Sequence, residues 1–329
     1  MADVVVVGSY VQDLSFRTEQ LPAPGETRLG TFQSGAGGKG FNQAVACSRQ
    51  GVVTQFLGAV ANDLFAVEAE NFVAHEESLT AFLERIDSSH TGVASIVVDG
   101  KAQNQIVVAL GANGRLSRSF VQQRAALFHD AKIVVTQLEM NIEAVDETLS
   151  IARESSSISI LDPAPINPEL SVELLQKADV ITPNESEFTS LLKQLFGDDP
   201  GERFWERTDK ELQGLCELCG VPLVIVTLGG TGCFVSHHRL DGRISLGEGF
   251  FRASAPKVNA IDTTGAGDAF SGGLAAGLVR YRNDIKSAIA FASCVAGLST
   301  ERVGTSPAMP YSFEVHERFR ELPSPVSRE

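Results

Sequence analysis

The sequence predicts an α/β protein with a doubly wound, mostly parallel sheet flanked by helices, and with a small β-sheet lid. Two observations support this fold class. From residue 117 onward, apolar strand-like runs alternate with helix-like segments, which is the order of parallel β-α units. Near the middle of the chain, the runs 91–98 and 103–110 are joined by Asp99-Gly100, a pair typical of a tight β-hairpin. A hairpin does not fit strict alternation, so we expect it to belong to a second sheet.

The individual elements follow from local patterns. Four consecutive valines at Val4–Val7 are typical of a buried strand. Residues 21–33 contain Pro22, Pro24 and Gly25, and predict irregular chain with short exposed strands. Further strands are predicted at 52–60, 133–138, 157–161, 180–182 and 223–227, with a second hairpin at 231–236 and 244–246. Helices are predicted at 39–50, 64–75 (N-capped by Asp63), 142–153, 185–195, 208–219, 267–281 and 283–299.

The whole chain, residues 1–329, is expected to form a single domain, with lid strands from about 10–37 and 91–110. The polar insertion at 197–209 predicts a surface loop that is anchored by the lone Trp205. The lid sheet would have open edges that carry apolar residues such as Val97 and Val107. Because exposed edges are usually paired or covered, we expect a homodimer through this sheet.

Composition excludes several classes of partner. Apolar residues make up 43% of the chain, and the formal net charge is −14. So acidic a surface argues against nucleic acid and anionic membranes as general partners, although backbone N–H groups can still hold phosphate groups. The five cysteines form no framework, and Cys216 and Cys219 lie in a predicted helix, where two reduced thiols are expected. Together with the absence of a signal-peptide pattern, this predicts a cytoplasmic protein.

The first glycine-rich loop, residues 35–40, has the spacing of a dinucleotide fingerprint. Its context does not fit, because the preceding segment is polar and proline-rich rather than the first buried strand. A Walker A motif is also excluded, since Lys39 is followed by Gly40. What remains is a glycine bend with Lys39 and Asn42 at a helix start. It suits a polyhydroxylated ligand, or it is a plain helix-entry turn.

Two further glycine-rich loops have two interpretations each. The segment 227–232 follows a buried strand, and forms either an anion-binding nest or a tight turn. The segment Gly265-Ala266-Gly267-Asp268 opens a long helix, whose first N–H groups favour an anion. Asp268 either caps this helix or accepts a proton from an alcohol beside the anion site.

Taken together, these motifs resemble the ribokinase family (PfkB-type carbohydrate kinases), from residue 4 to about residue 310. Two blocks are specific: Gly37 to Ala44, which reads GGKGFNQA, and Asp262 to Asp268, which reads DTTGAGD. The resemblance implies a ribokinase-like fold and ATP-dependent phosphorylation of D-ribose at its 5-hydroxyl. Related kinases for deoxyribose, fructose or adenosine, and a non-catalytic sugar-sensing module, stay open as alternatives.

The resemblance also implies roles for individual residues. Asp268 is the base, beside an anion hole formed by Gly265, Ala266 and Gly267. The implied sugar ligands are Asp13, Gly38, Lys39, Asn42, Glu139 and Asp268. The implied ATP-binding residues are Asn184, Glu187, Thr227, Gly229 and Gly232. Near Asn184 and Glu187, Mg²⁺ would be held largely through water. A monovalent cation, usually K⁺, would be ringed by Asp262, Thr264, Ser299, Arg302 and Gly304.

The chain departs from the family pattern at two positions. Val11 stands where many relatives carry an Asn two residues before the sugar-binding Asp13, and a valine cannot donate that hydrogen bond. Ala308 stands where the family often offers a hydroxyl to the cation, and Ser306 is close but out of register. We therefore expect differences at the sugar and at the cation.

Overall fold

The computed structural model describes residues 2–101, 103–238 and 249–322. The strands are β1 (Val4–Val7), β2 (Val11–Arg17), β3 (Thr31–Gly37), β4 (Thr54–Val60), β5 (Leu79–Arg85), β6 (Gly92–Val98), β7 (Asn104–Ala109), β8 (Ile133–Gln137), β9 (Ile158–Asp162), β10 (Val180–Ile181), β11 (Leu223–Thr227), β12 (Cys233–His237) and β13 (Gly249–Ala253). The helices are α1 (Lys39–Ser48), α2 (Leu64–Ala74), α3 (Arg118–Gln122), α4 (Ile142–Glu154), α5 (Val172–Leu175), α6 (Glu185–Phe196), α7 (Asp209–Leu218), α8 (Ala266–Arg280), α9 (Ile285–Ser299) and α10 (Ser312–Arg318).

The larger sheet has nine strands in the order β13-β12-β11-β10-β9-β8-β1-β4-β5. The seven strands from β5 to β11 are parallel, and β12 and β13 are added antiparallel at one edge. Val4–Val7 lies between β4 and β8 and is fully buried, as its run of β-branched residues predicts. The predicted fold class is therefore confirmed.

The smaller sheet, which we call the lid sheet, has four strands in the order β3-β2-β6-β7. β2 pairs antiparallel with β3 and parallel with β6, while β6 and β7 form the predicted hairpin. The Asp99 carboxylate closes this hairpin turn by accepting hydrogen bonds from the backbone N–H groups of Lys101 and Gln103. Every residue of the edge strand β7 is exposed.

Helices cover both faces of the larger sheet. Val4 and Val6 point into a core formed with α1, α8 and α9, and the alternating Val5 and Val7 point into a second core on the opposite face. Glycines let α1 and α8 approach closely, because a Cβ at Gly272 would lie 2.4 Å from the carbonyl oxygen of Gln43. This contact brings the start of α1 against the start of α8.

The structure differs from the prediction in two details, at β5 and in the insertion at 197–209. β5 was not predicted, because LTAFLER contains helix formers and its edge position leaves most of its side chains half-buried. The strand that pairs with β12 is β13, and the expected strand at 244–246 lies outside the described residues. In the insertion, Phe204 is the buried anchor: it packs against Phe188 at a centroid distance of 5.4 Å, and Trp205 lies edge-on against it.

Candidate active site

Asp268 lies in the first turn of α8 and does not cap the helix. The N-cap is Gly265, in the left-handed conformation with a φ of 77°, and helix α8 begins at Ala266. The Asp268 side chain instead accepts hydrogen bonds from Asn42 Nδ2 at 2.8 Å and Gln43 Nε2 at 3.2 Å. The capping interpretation of Asp268 is therefore wrong, since both carboxylate oxygens face α1.

Burial raises the pKa of Asp268, whereas the Lys39 ammonium and the Asn42 hydrogen bond act to lower it. A second buried carboxylate, Asp162, follows at the end of β9, and burial raises its pKa well above the usual range. Gln43 Nε2 donates to Asp162 Oδ2 at 2.8 Å as well as to Asp268, so one amide group bridges the two carboxylates. Gln137 Nε2 donates to Gln43 Oε1 at 2.6 Å, which fixes the orientation of that amide.

Lys39, the first residue of α1, lies in the field of several carboxylates. Burial opposes its charge, but the negative charges of Asp268, Asp162, Glu187 and Glu139 hold the Lys39 pKa above its usual range. The ammonium is therefore charged at neutral pH, and it is the cation that these carboxylates share.

Glu139 ties the glycine bend to the carboxyl end of the sheet. Its Oε2 accepts hydrogen bonds from Ser9 Oγ at 2.5 Å and from the Lys39 backbone N–H at 3.0 Å. Gly38, just before α1, has a φ of 92°, and a Cβ there would lie 2.6 Å from the backbone nitrogen of Val11. The bend therefore requires glycine at position 38.

A cavity of about 330 Å³ opens between the lid sheet and the two loops at 260–264 and 303–307. Asp13 lines it, and burial raises the pKa of this carboxyl to about 6, although a hydrogen bond from Thr305 opposes the rise. The buried Asn42 and Asp268 are joined by a hydrogen bond, and the buried Glu139 accepts one from the Lys39 N–H, but none of the three lines this cavity. Val11 is also buried, so it offers an apolar side chain in this region.

A second cavity, of about 320 Å³, adjoins the first, because Ala260 and Thr263 line both. Most of its wall is apolar, formed by residues such as Pro256, Val258 and Phe270. Of the residues predicted on the ATP and anion-hole side, those that line this cavity are Asn184, Thr227, Gly229, Gly232, Ala266 and Gly267. The glycine turn after β11 contributes its backbone here as the 3-10 turn Gly229–Thr231.

Asn184 and Glu187 have a structural role at the start of α6. Asn184 Oδ1 accepts hydrogen bonds from the backbone N–H groups of Ser186 and Glu187, and Glu187 Oε2 accepts one from the Asn184 N–H at 2.8 Å. This is a capping box, which explains both residues without a ligand. Glu187 still contributes to the electrostatic field at Lys39.

The residues predicted to ring a cation bring two loops together. Asp262 Oδ1 accepts a hydrogen bond from the Thr264 N–H and Oδ2 accepts one from the Gly304 N–H, both at 3.0 Å. Ser299 Oγ donates to the Ala296 carbonyl, so its hydroxyl is directed into the helix. The Arg302 guanidinium pairs with Glu314. In the described residues no group of three His, Cys, Asp or Glu could hold a metal ion, so a cation here would depend on backbone carbonyls.

The sequence did not identify several polar residues that complete this network. They are Ser9, Gln43, Gln137, Asp162, Thr305 and Ser306. Gln43 lies inside the block GGKGFNQA, and Asp162 ends a predicted parallel strand, where ligand sites form. The sequence could therefore have indicated Gln43 and Asp162 as site residues.

Comparison with known proteins places this geometry in a family. The model of the pfkB family carbohydrate kinases matches residues 1–311. A ribokinase from Schizosaccharomyces pombe is 32% identical over 326 residues, covering 97% of this chain and 98% of that protein. The structure of ribokinase from Giardia lamblia superposes with a TM-score of 0.84 at 28% identity, covering 97% of this chain and 99% of that one.

A further solved relative carries both ligands. Arabidopsis thaliana ribokinase, complexed with ribose and ATP, superposes with a TM-score of 0.78 at 26% identity, covering 96% of this chain and 98% of that one. The match of the family model and the full-length relatives agree with the resemblance carried by the two blocks around Lys39 and Asp268. This chain therefore belongs to the pfkB family of carbohydrate kinases and is a sugar kinase.

Proposed function

We propose that this enzyme transfers the γ-phosphoryl group of ATP to the 5-hydroxyl of D-ribose. The observation that carries the proposal is the position of Asp268, a buried carboxylate at the start of α8, where Gly267 lines one of two adjoining cavities. A base in the first turn of a helix lies beside N–H groups that stabilise an anion. One element therefore supplies both the proton acceptor and the anion hole that phosphoryl transfer needs.

On the sugar side, we propose that Asp13, Gly38, Lys39, Asn42 and Glu139 bind the hydroxyl groups. Carboxylates and amides suit vicinal hydroxyls, because each can bridge two of them. Val11 is apolar where many relatives carry Asn, so one hydroxyl of ribose loses a partner. For this reason deoxyribose is the second candidate substrate.

On the nucleotide side, the apolar walls of the second cavity suit an adenine ring, and the turn after β11 suits its phosphates. Gly265, Ala266 and Gly267 would form the anion hole, with Asn184, Thr227, Gly229 and Gly232 around the nucleotide. Asn184 and Glu187 would hold Mg²⁺ largely through water, because their side chains already cap α6. Magnesium, when bound, would neutralise charge on the phosphates.

A monovalent cation such as K⁺ fits the loop formed by Asp262, Thr264, Ser299, Arg302 and Gly304. The donors available there are oxygens, mostly backbone carbonyls, with one carboxylate that two N–H groups hold in place. Oxygen ligands with little total charge suit K⁺ better than a transition metal. Arg302 would contribute its carbonyl, since its guanidinium pairs with Glu314.

We further propose that the chain acts as one domain, residues 1–329, in which the lid sheet closes over bound sugar and excludes water. Apolar side chains on this sheet are exposed, among them Phe16, Phe32, Ile106, Val107 and Val108. A second copy that covers them would form a homodimer. Val107→Glu should then give a monomer in sedimentation, while Lys210→Glu, remote from the lid sheet, stays dimeric. A wild-type monomer at micromolar concentration would contradict the dimer.

We also propose that the protein is located in the cytoplasm. It is supported by the five cysteines, all of them free and buried, which suit a reducing compartment. None of the described helices combines the length and apolarity that a membrane span needs.

The proposed activity is tested by following ADP release with ribose, deoxyribose, fructose and adenosine as acceptors. We expect the highest kcat/KM with ribose. The ratio of kcat/KM for ribose to that for deoxyribose should be smaller than in a variant with Asn at position 11. Preference for fructose or adenosine would replace the substrate assignment. ADP release that no acceptor stimulates would refute the kinase.

A further inference from the structure

The short segment 305–306 donates side-chain hydrogen bonds to two of the proposed sugar-site residues. Thr305 Oγ1 lies 2.8 Å from Asp13 Oδ2, and Ser306 Oγ lies 2.5 Å from Asn42 Oδ1. Both hydroxyl residues are buried. The two contacts join residues that are 292 and 264 positions apart in sequence, so they form only in the folded site.

Ser306 holds the oxygen end of the Asn42 amide. Since Oδ1 of an amide can only accept, the Ser306 hydroxyl donates to it, and Nδ2 is then directed at Asp268 Oδ2 at 2.8 Å. The opposite orientation would place Oδ1 against the carboxylate, and two acceptors would face each other. The Asp268 carboxylate therefore sets which end of Asn42 faces the base, and Ser306, by donating to Oδ1, holds the other end of the amide in place.

Thr305 holds Asp13 at the wall of the sugar cavity. Its single hydroxyl proton has two acceptors within reach, the Asp13 carboxylate at 2.8 Å and the Ala36 carbonyl at 3.1 Å. The shorter contact to the charged group is the stronger hydrogen bond. The negative charges of Glu139 and Asp268 act against an ionised Asp13, so this donor also helps to keep the carboxylate charged.

The segment that carries these hydroxyls is itself held by Arg49. Arg49 Nη1 donates to carbonyl oxygens of the segment 306–309, the nearest being that of Met309 at 2.6 Å. The same guanidinium forms an ion pair with Glu76 at 2.6 Å, and both side chains are less than a tenth exposed. The two hydroxyls are therefore presented from a fixed backbone.

We infer that Thr305 and Ser306 are positioning residues with separate effects on the reaction, Thr305 on sugar affinity through Asp13 and Ser306 on turnover through Asn42 and Asp268. The inference rests on the proposed function. It adds that two neighbouring hydroxyls, one bound to Asp13 and the other to Asn42, determine KM and kcat separately.

The test compares Thr305→Val, Thr305→Ser and Ser306→Ala with wild type on the sugar that wild type phosphorylates best. Loss of a hydrogen bond to a charged group predicts a sugar KM about ten-fold higher for Thr305→Val, with kcat changed less than about two-fold. Thr305→Ser keeps the hydroxyl and should keep the wild-type KM. Ser306→Ala should lower kcat about ten-fold, and by more than it raises KM.

A pH profile separates positioning from a merely structural effect. In Ser306→Ala the Asn42 amide is held at one end only, so its hydrogen bond to Asp268 weakens and lowers the Asp268 pKa less, and the acidic limb of kcat should move to higher pH. Ser48→Ala is the matched control, because it removes another buried serine hydroxyl, one that donates to the Val45 carbonyl within α1. It should leave kcat, KM and the acidic limb unchanged.

Three results would overturn the inference while wild type remains active: equal changes of kcat and KM in both variants, failure of Thr305→Ser to restore KM, or an unmoved acidic limb in Ser306→Ala. Thermal melting identifies a variant that does not fold. In that case calorimetric titration of sugar into Thr305→Ser and wild type decides, and a lower affinity of Thr305→Ser overturns the role of the hydroxyl. A wild type without sugar-dependent ADP release would instead refute the proposed function.

Discussion

Replacing Asp268 by Asn removes the proposed base while leaving its shape almost unchanged. In wild type the two carboxylate oxygens accept from Asn42 at 2.8 Å and from Gln43 at 3.2 Å. An Asn side chain has one oxygen, so one of these two amide donors would face another NH₂ group. The variant therefore loses both the proton acceptor and one of the contacts that align it.

Loss of a general base typically costs about 10²–10⁴ in rate, so we expect kcat to fall at least about 10²-fold. Stability should not fall with it. Because burial raises the pKa of Asp268 in the folded state, the protonated carboxyl contributes stability below its unfolded-state pKa, and this contribution is lost as pH rises through the folded-state pKa and the buried group ionises. At neutral pH, removing the charge should leave the melting temperature equal or higher.

The assay is steady-state ADP release with saturating ATP and sugar, together with a melting curve for each protein. Asp130→Asn is the control, because it makes the same chemical change at an exposed position. If Asp268→Asn keeps near-normal turnover, the assignment of the base fails. A large drop in melting temperature would refute the argument that this carboxylate is held at a cost to stability.

Three further predictions follow from packing, charge and sequence. Gly272→Ala should lower the free energy of unfolding, measured in urea, by about 1–3 kcal/mol, because the added Cβ would lie 2.4 Å from the Gln43 carbonyl oxygen. The resulting separation of α1 from α8 should also reduce kcat. A variant as stable as wild type would show that the two helices accommodate the added Cβ without strain. Since burial raises the pKa of Asp13 to about 6, kcat/KM for the sugar should fall as pH decreases through about 6, and a flat profile between pH 5 and 7 would argue that Asp13 is not needed in its charged form. Val11→Asn should raise the ratio of kcat/KM for ribose to that for deoxyribose, by about ten-fold for one added hydrogen bond, and an unchanged ratio would remove Val11 from the sugar site.

The parts of the fold that local pattern determines were predictable. Val4–Val7 is a buried parallel strand because β-branched runs suit a position covered on both faces. The hairpin at Asp99-Gly100 formed because these residues favour a tight turn. The edge strand β5 was missed, since an edge position tolerates residues without a strand pattern.

The predicted site was incomplete where its contacts depend on tertiary packing. Nothing within the sequence around Ser306 indicates that its hydroxyl meets Asn42, 264 positions away. Asp268 could be read locally as a helix cap, and only the close approach of α1 to α8 shows that its oxygens face Asn42 and Gln43. Asp162 was missed although it stands at the end of a predicted parallel strand, and only the structure shows that Gln43 joins it to the same network.

The most direct test of the central claim is phosphorus NMR of the product formed from ATP and D-ribose by the wild-type enzyme. The account predicts a phosphate monoester whose signal is split by the two protons of the 5-methylene group, formed in equal amount to ADP, and formed at least about 10²-fold more slowly with Asp268→Asn. Release of inorganic phosphate alone, or a phosphate on another hydroxyl, would contradict it.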